Sequence, residues 1–257
     1  MPASPALPRL LVLLLLVLAT ACAHAPRPRT PVQDRPPLLL VSVDGLSPAL
    51  LQAAPRLRAL AQQGASAAAL RPSYPALTFP NHVTLVTGLR PDRHGIVHNK
   101  MRDAALGRFS NTEASADDAR WWTQAVPLWV MAENAGLRTA TMFWPGSSAA
   151  IDGVRPTHWR AYDGSITAEA RVDTVLGWLD APPATRPRFV TLYFDQVDEA
   201  AHDHGPLSEE AQAAVRTVDT AIGRLLDALA ARGTAANVVV LSDHGMETVP
   251  GGQVVPI

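Results

Sequence analysis

Apolar runs separated by amphipathic stretches set the organisation of this chain. The segment Leu38–Val43 (LLLVSV) is an unbroken apolar run, which is typical of a strand buried on both faces of a sheet. An amphipathic stretch follows over Pro48–Gln63, where leucines recur at roughly helical spacing before Gly64 ends the pattern. The same alternation continues along the chain. It predicts strands over Arg138–Trp144, Arg188–Asp195 and Asn237–Ser242, and helices over Pro127–Asn134, Thr167–Asp180 and Ser208–Ala231.

Strands that alternate with helices predict an α/β fold, in which a mainly parallel sheet is covered by helices on both faces. We expect one such domain over residues 37–257, since no internal repeat and no second boundary interrupts it. With 47% hydrophobic residues in a chain of 257, the protein is able to bury a core of this size. The formal net charge of −1 lacks the basic excess of nucleic-acid-binding surfaces, so any nucleotide is expected as a small substrate.

Residues 1–21 are predicted to be a signal peptide. Arg9 precedes the apolar run 10–18 (LLVLLLLVL), and the small residues 19–21 follow it. This run is shorter than the roughly 20 apolar residues that span a bilayer, so a permanent transmembrane helix is the weaker interpretation. We therefore expect the protein to be exported to the periplasm.

The single cysteine, Cys22, directly follows these small residues, and a lone cysteine excludes an internal disulfide. The arrangement resembles a bacterial lipoprotein signal, in which the cysteine becomes lipidated and N-terminal. Cleavage by the general signal peptidase after Ala21 or Ala23 is the alternative. Residues 22–36 are rich in proline and arginine, which predicts an extended tether between a lipid-anchored cysteine and the folded domain.

Acidic side chains follow three of the predicted strands, and histidines lie close to two of them in sequence. Ligands in parallel α/β sheets bind beyond the carboxyl ends of the strands, so we expect these groups to meet there. Carboxylate oxygen with imidazole nitrogen is a ligand set that suits zinc or another first-row divalent ion. Taken singly, an Asp after a buried strand is more often a turn or helix-cap residue, and an Asp-x-x-x-His pair is more often part of a solvated loop. The residues are Asp44, Asp195, Asp198 and Asp243, with His202 and His244 beside them.

A hydroxyl nucleophile is available in the segment YPALTFPNHVTLVTG. Thr78 lies two residues before Pro80, and proline is favoured in the first turn of a helix. This spacing predicts that the Thr78 hydroxyl lies at a helix N-terminus, where the helix dipole favours an alkoxide or a phosphate. A helix-capping threonine without a chemical role is the plainer interpretation of the same pattern.

Five segments of the chain occur in the order and approximate spacing found in one enzyme family. They are VSVDG, YPALTFPNHVTLVTGLRPDRHGIVHNKM, PLWVMAENAGLRTATMFWPGS, RFVTLYFDQVDEAAHDHGP and VVVLSDHGM. Over Pro37–Met246 the chain resembles the nucleotide pyrophosphatase/phosphodiesterase family of type I phosphodiesterases, within the alkaline phosphatase superfamily. The resemblance implies an alkaline-phosphatase-like core that hydrolyses phosphodiester or pyrophosphate bonds in nucleotide-like substrates.

The resemblance also implies two divalent metal ions, which ligand type and family together indicate to be zinc, although manganese or iron is chemically tolerable. Thr78 would be the nucleophile and would form a phosphothreonine that water then hydrolyses. One ion would have four ligands, and the other would have two together with a histidine further downstream. The first set is Asp44, the Thr78 oxygen, Asp243 and His244, and the second is Asp198 and His202.

Three further positions match the substrate contacts of the family. Asn99 would hydrogen-bond a non-bridging phosphate oxygen, helped by the backbone N–H of Phe79. The rings of Phe79 and Tyr162 would sandwich a nucleobase. The plainer interpretations are a turn residue for Asn99 and ordinary core or rim packing for the two aromatic rings. For His82, His94 and His98 the resemblance implies a structural use at most.

The sequence departs from the family at its C-terminal end. It stops eleven residues after Met246, whereas family members continue and supply the last zinc-ligand histidine from that extension. We therefore expect a core that lacks its C-terminal portion, with an incomplete second metal site that His204 does not complete. Two alternatives follow from this departure. The chain would hydrolyse another phosphoester or a phosphonate, or it would be an inactive, anchored metal-binding module.

Overall fold

The computed structural model describes residues 35–249. Contacts divide the chain between Arg35 and Pro36, and the fold described below belongs to the second unit, Pro36–Ile257. The predicted signal peptide, Cys22 and nearly all of the predicted tether lie outside the described residues. Across residues 35–249, no helix combines the length and the apolar character needed to cross a bilayer.

Strands and helices alternate along the described part of the chain. The strands are β1 (Leu38–Val43), β2 (Lys100–Asp103), β3 (Gly107–Ser110), β4 (Thr139–Met142), β5 (His158–Arg160), β6 (Phe189–Phe194) and β7 (Asn237–Leu241). The α-helices are α1 (Pro55–Gln63), α2 (Thr78–Thr87), α3 (Pro91–His94), α4 (Leu128–Asn134), α5 (Ala168–Leu179), α6 (Gln196–His204) and α7 (Glu209–Ala231).

Five strands form one parallel sheet in the order β5–β4–β6–β1–β7. In the centre, Val41 of β1 lies opposite Leu192 of β6 on one side and Val240 of β7 on the other. Because parallel strands all end at the same edge, the carboxyl ends of β6, β1 and β7 are neighbours there. The remaining strands, β2 and β3, form a separate antiparallel hairpin.

Helices cover both faces of the sheet, as the sequence predicted. Side chains alternate along β1, so Leu39, Val41 and Val43 enter one core while Leu40 enters the other. The first core is completed by residues of α1, α5, α6 and α7. The second is completed by residues of α2 and α4 and by the buried tryptophans Trp121, Trp122, Trp129 and Trp144. The predicted α/β fold with a mainly parallel sheet is therefore confirmed.

One predicted helix was wrong and some short elements were missed, among them α6 and the β2–β3 hairpin. The predicted helix Pro48–Gln63 is a 3₁₀ turn, Leu50–Ala53, followed by α1, because proline at 55 disfavours helical backbone at the preceding residue. Helix α6 was not among the predicted elements, since its sequence QVDEAAHDH has few apolar positions. The β2–β3 hairpin was also missed, because its strands KMRD and GRFS show no apolar alternation.

Candidate active site

A cavity of about 770 Å³ opens at the carboxyl ends of the parallel strands. Eight of the nine residues to which the resemblance gives a metal, catalytic or substrate role line it, as does Asp195, and the ninth, Asp243, lies buried behind the wall beside Asp44. The strand order β6–β1–β7 accounts for this convergence, since each neighbouring strand ends in a loop or helix that carries a predicted residue. The eight lining residues are Asp44, Thr78, Phe79, Asn99, Tyr162, Asp198, His202 and His244.

Asp44, Asp243 and His244 form a buried cluster whose potential ligand atoms all lie within 4.8 Å of one another. Nε2 of His244 is 3.1 Å from Oδ2 of Asp243 and 3.4 Å from Oδ1 of Asp44. The second oxygen of each carboxylate accepts a hydrogen bond. The hydroxyl of Tyr193 donates to Oδ2 of Asp44 at 2.6 Å, and the backbone N–H of Gly45 donates to Oδ1 of Asp243 at 3.3 Å.

The free carboxylate oxygens of this cluster fit a cation. Oδ1 of Asp44, Oδ2 of Asp243 and Oδ1 of the nearby Asp198 are buried without any hydrogen-bond partner among the described residues. Buried carboxylates normally have partners, because leaving a charged oxygen unsatisfied costs more than leaving a neutral one. A divalent ion held by Asp44, Asp243 and the His244 nitrogen would satisfy the first two oxygens with ligand types that zinc accepts, whereas Oδ1 of Asp198 is not part of that group.

The pKa shifts of Asp44 and Asp243 also indicate that positive charge is favoured in the cluster. Burial raises the pKa of Asp44 well above its ordinary value, and the charges of Asp243 and Asp198 raise it further. Burial alone would also raise the pKa of Asp243, but its contacts with His82 and His244 lower the value below the ordinary one. The two carboxylates therefore differ: without a cation, Asp44 favours its proton while Asp243 favours its charge.

The second predicted ligand pair lies on α6. Oδ2 of Asp198 is 3.5 Å from Nε2 of His202, one helical turn away, and the His202 side chain is 69% exposed toward the cavity. Gly45, with φ of +71°, lets α6 approach, since a β-carbon there would lie 3.1 Å from the Asp198 α-carbon. In the described part of the chain this pair offers two ligand groups, and His204 at the end of α6 does not line the cavity.

Thr78 is the first residue of α2, as the sequence predicted. Leu77 before it is extended, and the helix starts with Pro80 in its first turn. The loop in front is fixed by Asn81, whose Nδ2 donates to the carbonyls of Pro75 and Leu77, both at 3.0 Å, while its Oδ1 accepts from the Ser73 N–H at 2.7 Å. The half-buried Thr78 therefore begins the helix at a defined place in the cavity wall.

Asn99 and Phe79 contact each other, which corrects one expectation. The backbone N–H of Phe79 donates to Oδ1 of Asn99 at 2.9 Å, so in this structure it is occupied and does not point to a phosphate. Because that bond uses the amide oxygen, the Asn99 NH₂ group is the end left to donate into the cavity. The Phe79 ring lines the cavity and also packs against Phe109 and Trp122, with centroids 5.8 and 6.3 Å away.

Tyr162 lines the cavity and is held by contacts with Asp195 and Phe143 that the sequence did not predict. Its hydroxyl donates to Oδ2 of Asp195, and its ring packs edge-on against Phe143 with centroids 5.5 Å apart. Burial raises the pKa of Tyr162 above its ordinary value, and the bond to Asp195 adds to this. Asp195 in turn pairs with the buried Arg171, so it does not join the carboxylate cluster at the strand ends.

Two contributors, Tyr193 and Arg171, were missed by the sequence analysis, and a third, His82, was expected to have a structural use at most. Tyr193 bonds Asp44, Arg171 holds Asp195, and His82 lies between Thr78 and Asp243. The sequence could have indicated a role for His82, because it comes four positions after the predicted nucleophile Thr78 and therefore faces the same side of the helix. For Tyr193 and Arg171 no local pattern could have shown the contact.

The fold and the site together define an α/β protein whose cavity at the strand ends contains a group of possible metal ligands and a threonine at a helix N-terminus. Residues 38–257 match the family model of type I phosphodiesterase / nucleotide pyrophosphatase, and the chain belongs to this family.

Relatives and solved structures agree with the family assignment. The chain is 41% identical over 234 residues to ectonucleotide pyrophosphatase/phosphodiesterase family member 3 of Bos taurus, covering 88% of this chain and 27% of that protein. It is 39% identical over 240 residues to venom phosphodiesterase 2 of Crotalus adamanteus, covering 90% of this chain and 30% of the relative. The chain thus spans less than a third of the length of these curated relatives.

Among solved structures, the fold is similar to murine ectonucleotide pyrophosphatase/phosphodiesterase 5, solved as an inactive variant in complex with AMP. The TM-score is 0.80 at 30% sequence identity, over 86% of this chain and 60% of that one. A second structure of the same murine protein also matches, with a TM-score of 0.80 at 31% identity.

Proposed function

We propose that the chain hydrolyses phosphodiester or pyrophosphate bonds in nucleotide-like substrates, with Thr78 as the nucleophile. The observation that carries the proposal is the position of the Thr78 hydroxyl. It lies at the start of α2, in the wall of the same cavity as the Asp44–Asp243–His244 cluster. A hydroxyl at a helix N-terminus that shares a cavity with a candidate cation site is suited to attack phosphorus, since both features favour negative charge on oxygen.

The reaction follows from the groups in the cavity. The Thr78 oxygen attacks phosphorus, the bond from phosphorus to the leaving oxygen breaks, and a phosphothreonine remains until water cleaves it and restores the hydroxyl. The Asn99 NH₂ group donates to a non-bridging oxygen, where negative charge increases. Divalent cations, zinc by ligand type, held by Asp44, Asp243 and His244 and by Asp198 with His202, would supply positive charge to the attacking and leaving oxygens.

The remaining cavity wall suits a nucleoside. Phe79 and Tyr162 both line the cavity and offer aromatic surface, on which any base stacks regardless of its identity. The volume of about 770 Å³ is within the range of sites for small organic ligands. The murine structural neighbour was solved in complex with AMP, which supports a nucleotide as the ligand of this cavity.

Substitution of the nucleophile tests the proposal. The whole chain is assayed with the p-nitrophenyl ester of thymidine 5′-monophosphate in the presence of zinc, alongside T78A, T78S and T87A. Thr87 ends the same helix, and its hydroxyl donates only to the Val83 carbonyl, so T87A is the matched control. T78A is expected to lose at least about 10³-fold in kcat, while T78S and T87A stay within about tenfold. Near-normal turnover by T78A would overturn the assignment.

Substrate class and metal content need separate measurements. A panel of dinucleotide, choline phosphodiester, phosphonate and phosphomonoester substrates distinguishes the nucleotide proposal from other phosphoester chemistry. Metal analysis of the purified chain distinguishes an enzyme from an inactive binding module. Two zinc ions with turnover support the enzyme, whereas one or none without turnover supports the module.

For the cellular location, we propose export to the periplasm and lipid attachment at Cys22, which rest on the sequence alone. Cells expressing the chain are labelled with radioactive palmitate and compared with cells expressing C22S. Label in the unaltered protein that is absent from C22S supports the lipid anchor. Equal label in both, or none in either, contradicts it.

A further inference from the structure

One fully buried imidazole, that of His82, contacts three parts of the candidate site. His82 lies on α2, four residues after Thr78. Its Nδ1 is 2.8 Å from the backbone carbonyl oxygen of Thr78 and 3.4 Å from Oδ2 of Asp243. Its Nε2 is 2.9 Å from Oγ of Ser42, two residues before Asp44 on β1. A single ring thus joins the segments that carry the nucleophile and both carboxylates of the cluster.

These partners determine where the proton of the ring lies. A backbone carbonyl only accepts hydrogen bonds, so the Nδ1 that faces the Thr78 carbonyl carries the proton. The same N–H edge faces Oδ2 of Asp243 and places partial positive charge beside a carboxylate oxygen that has no hydrogen-bond partner. In the neutral ring, Nε2 is then the acceptor for the Ser42 hydroxyl, which anchors the far side of the imidazole.

Packing holds the ring in this orientation. Trp144 and Tyr193 contact it edge-on, each with a centroid distance of 5.0 Å. The Trp144 indole N–H donates to the His82 carbonyl at 3.3 Å, and the Tyr193 hydroxyl donates to Asp44 at 2.6 Å. A rotation of the imidazole would therefore displace side chains that are themselves bonded within the site, so the ring can transmit position from one segment to another.

We propose that His82 is a positioning residue that fixes the nucleophile Thr78 relative to the metal ligand Asp243. The inference rests on the proposed function for the roles of Thr78 and Asp243. It adds a residue to that function that contacts neither substrate nor metal. Residues that orient metal ligands in this way typically change metal affinity or activity by about 10- to 100-fold when replaced.

Two substitutions separate positioning from packing. In H82N the side-chain NH₂ group reaches the place of Nδ1 and keeps the donor toward Thr78 and Asp243. In H82Q the longer amide reaches the place of Nε2 and loses that donor. H82L removes both polar contacts, and S42A removes only the Ser42 anchor. Each variant of the whole chain is measured for zinc affinity by calorimetric titration of the metal-free protein, for kcat and KM, and for melting temperature.

We expect the two amide variants, H82N and H82Q, to differ in zinc affinity and in kcat. H82Q and H82L should bind zinc about 10- to 100-fold more weakly and lose kcat to a similar degree, with little change in KM, because the substrate wall is untouched. H82N should retain zinc affinity and kcat close to those of the unaltered chain, and S42A should show a smaller loss than H82Q.

Two outcomes overturn the proposal. In the first, H82N and H82Q bind zinc and turn over equally well. In the second, all His82 variants lose function only in proportion to a lower melting temperature, or fail to fold, which shows a packing role. Because the zinc titration needs no turnover, it tests His82 even if the unaltered chain fails to hydrolyse phosphodiesters, so the two failures are distinguishable.

Discussion

Replacing Arg171 by methionine tests whether a buried ion pair supports the wall of the cavity. Arg171 lies on α5 with a fully buried side chain, and Asp195 opposite it is 6% exposed. Nη1 donates to Oδ1 of Asp195 at 2.8 Å and to the Tyr193 carbonyl at 3.0 Å, while Nε donates to the Ile166 carbonyl at 3.0 Å. The guanidinium also lies over the Phe143 ring, 4.9 Å from its centroid.

The expected cost follows from what methionine leaves behind. R171M keeps an unbranched side chain but removes the cation that pairs with the buried Asp195 carboxylate, which keeps the bond from Tyr162, and removes the donors to two carbonyls. Removing one partner of a buried pair in this way costs about 3–5 kcal/mol. For a domain of this size that corresponds to a fall in melting temperature of roughly 10 °C. The loss is a large part of the total stability of an ordinary domain, about 5–15 kcal/mol.

Guanidinium chloride unfolding near neutral pH measures the free energy directly. The control is R232M, because Arg232 pairs with Asp180 at 2.9 Å with both side chains substantially exposed. Exposed pairs contribute at most about 1 kcal/mol, so the same substitution there should have little effect. The double variant R171M/D195L removes the unpaired charge and should recover much of the loss.

Two results would refute this reasoning. If R171M costs no more than R232M, burial does not make the Arg171–Asp195 pair important. If R171M/D195L is as unstable as R171M alone, the loss comes from the packing of the guanidinium and not from the stranded carboxylate.

Three other predictions concern the loop before α2, a buried histidine and the metal cluster. N81A should lose about 1–3 kcal/mol of unfolding free energy and also lower kcat, because the carbonyls that Asn81 bonds hold the approach to Thr78; unchanged kinetics would contradict this. Burial lowers the pKa of His94 from 6.5 to about 4. On acidification, His94 therefore takes up its proton at a higher pH in the unfolded chain than in the folded one. Unfolding free energy should therefore fall by about 3 kcal/mol as pH drops through this window, and H94N should lack that component. Zinc at 100 times its Kd should stabilise the chain by about 2.7 kcal/mol, a gain that EDTA reverses and D44N lacks.

The sequence predicted the parts of the site that depend on local pattern. Asp44 and Asp243 were placed correctly because the apolar runs before them are unambiguous and parallel strands end together. The start of α2 at Thr78 was likewise predicted from Pro80. These features need only a window of ten or so residues, within which periodicity and proline stereochemistry determine the backbone.

What the sequence could not show are contacts between distant side chains. Tyr193 and Asp44 are 149 residues apart, and Tyr162 and Asp195 are 33 apart. Which side chains meet depends on strand register and helix rotation, and a one-residue change in either would replace the partner. The same limit explains Asp195. As a strand-end carboxylate it looked equivalent to Asp44, and only the position of Arg171 on α5 distinguishes its role.

One hydrogen bond, between Ser42 and His82, links the spacing of residues along β1 to the spacing of residues along α2. Ser42 and Asp44 are two residues apart at the end of β1, and Thr78 and His82 are four apart on α2. Two residues of strand and four residues of helix advance the chain by similar lengths, about 6.6 and 6 Å. The Ser42–His82 hydrogen bond joins one residue of the strand pair to one residue of the helix pair. The other residue of each pair, Asp44 and Thr78, lines the cavity, so the packing of α2 against β1 links the position of the proposed nucleophile to that of the carboxylate.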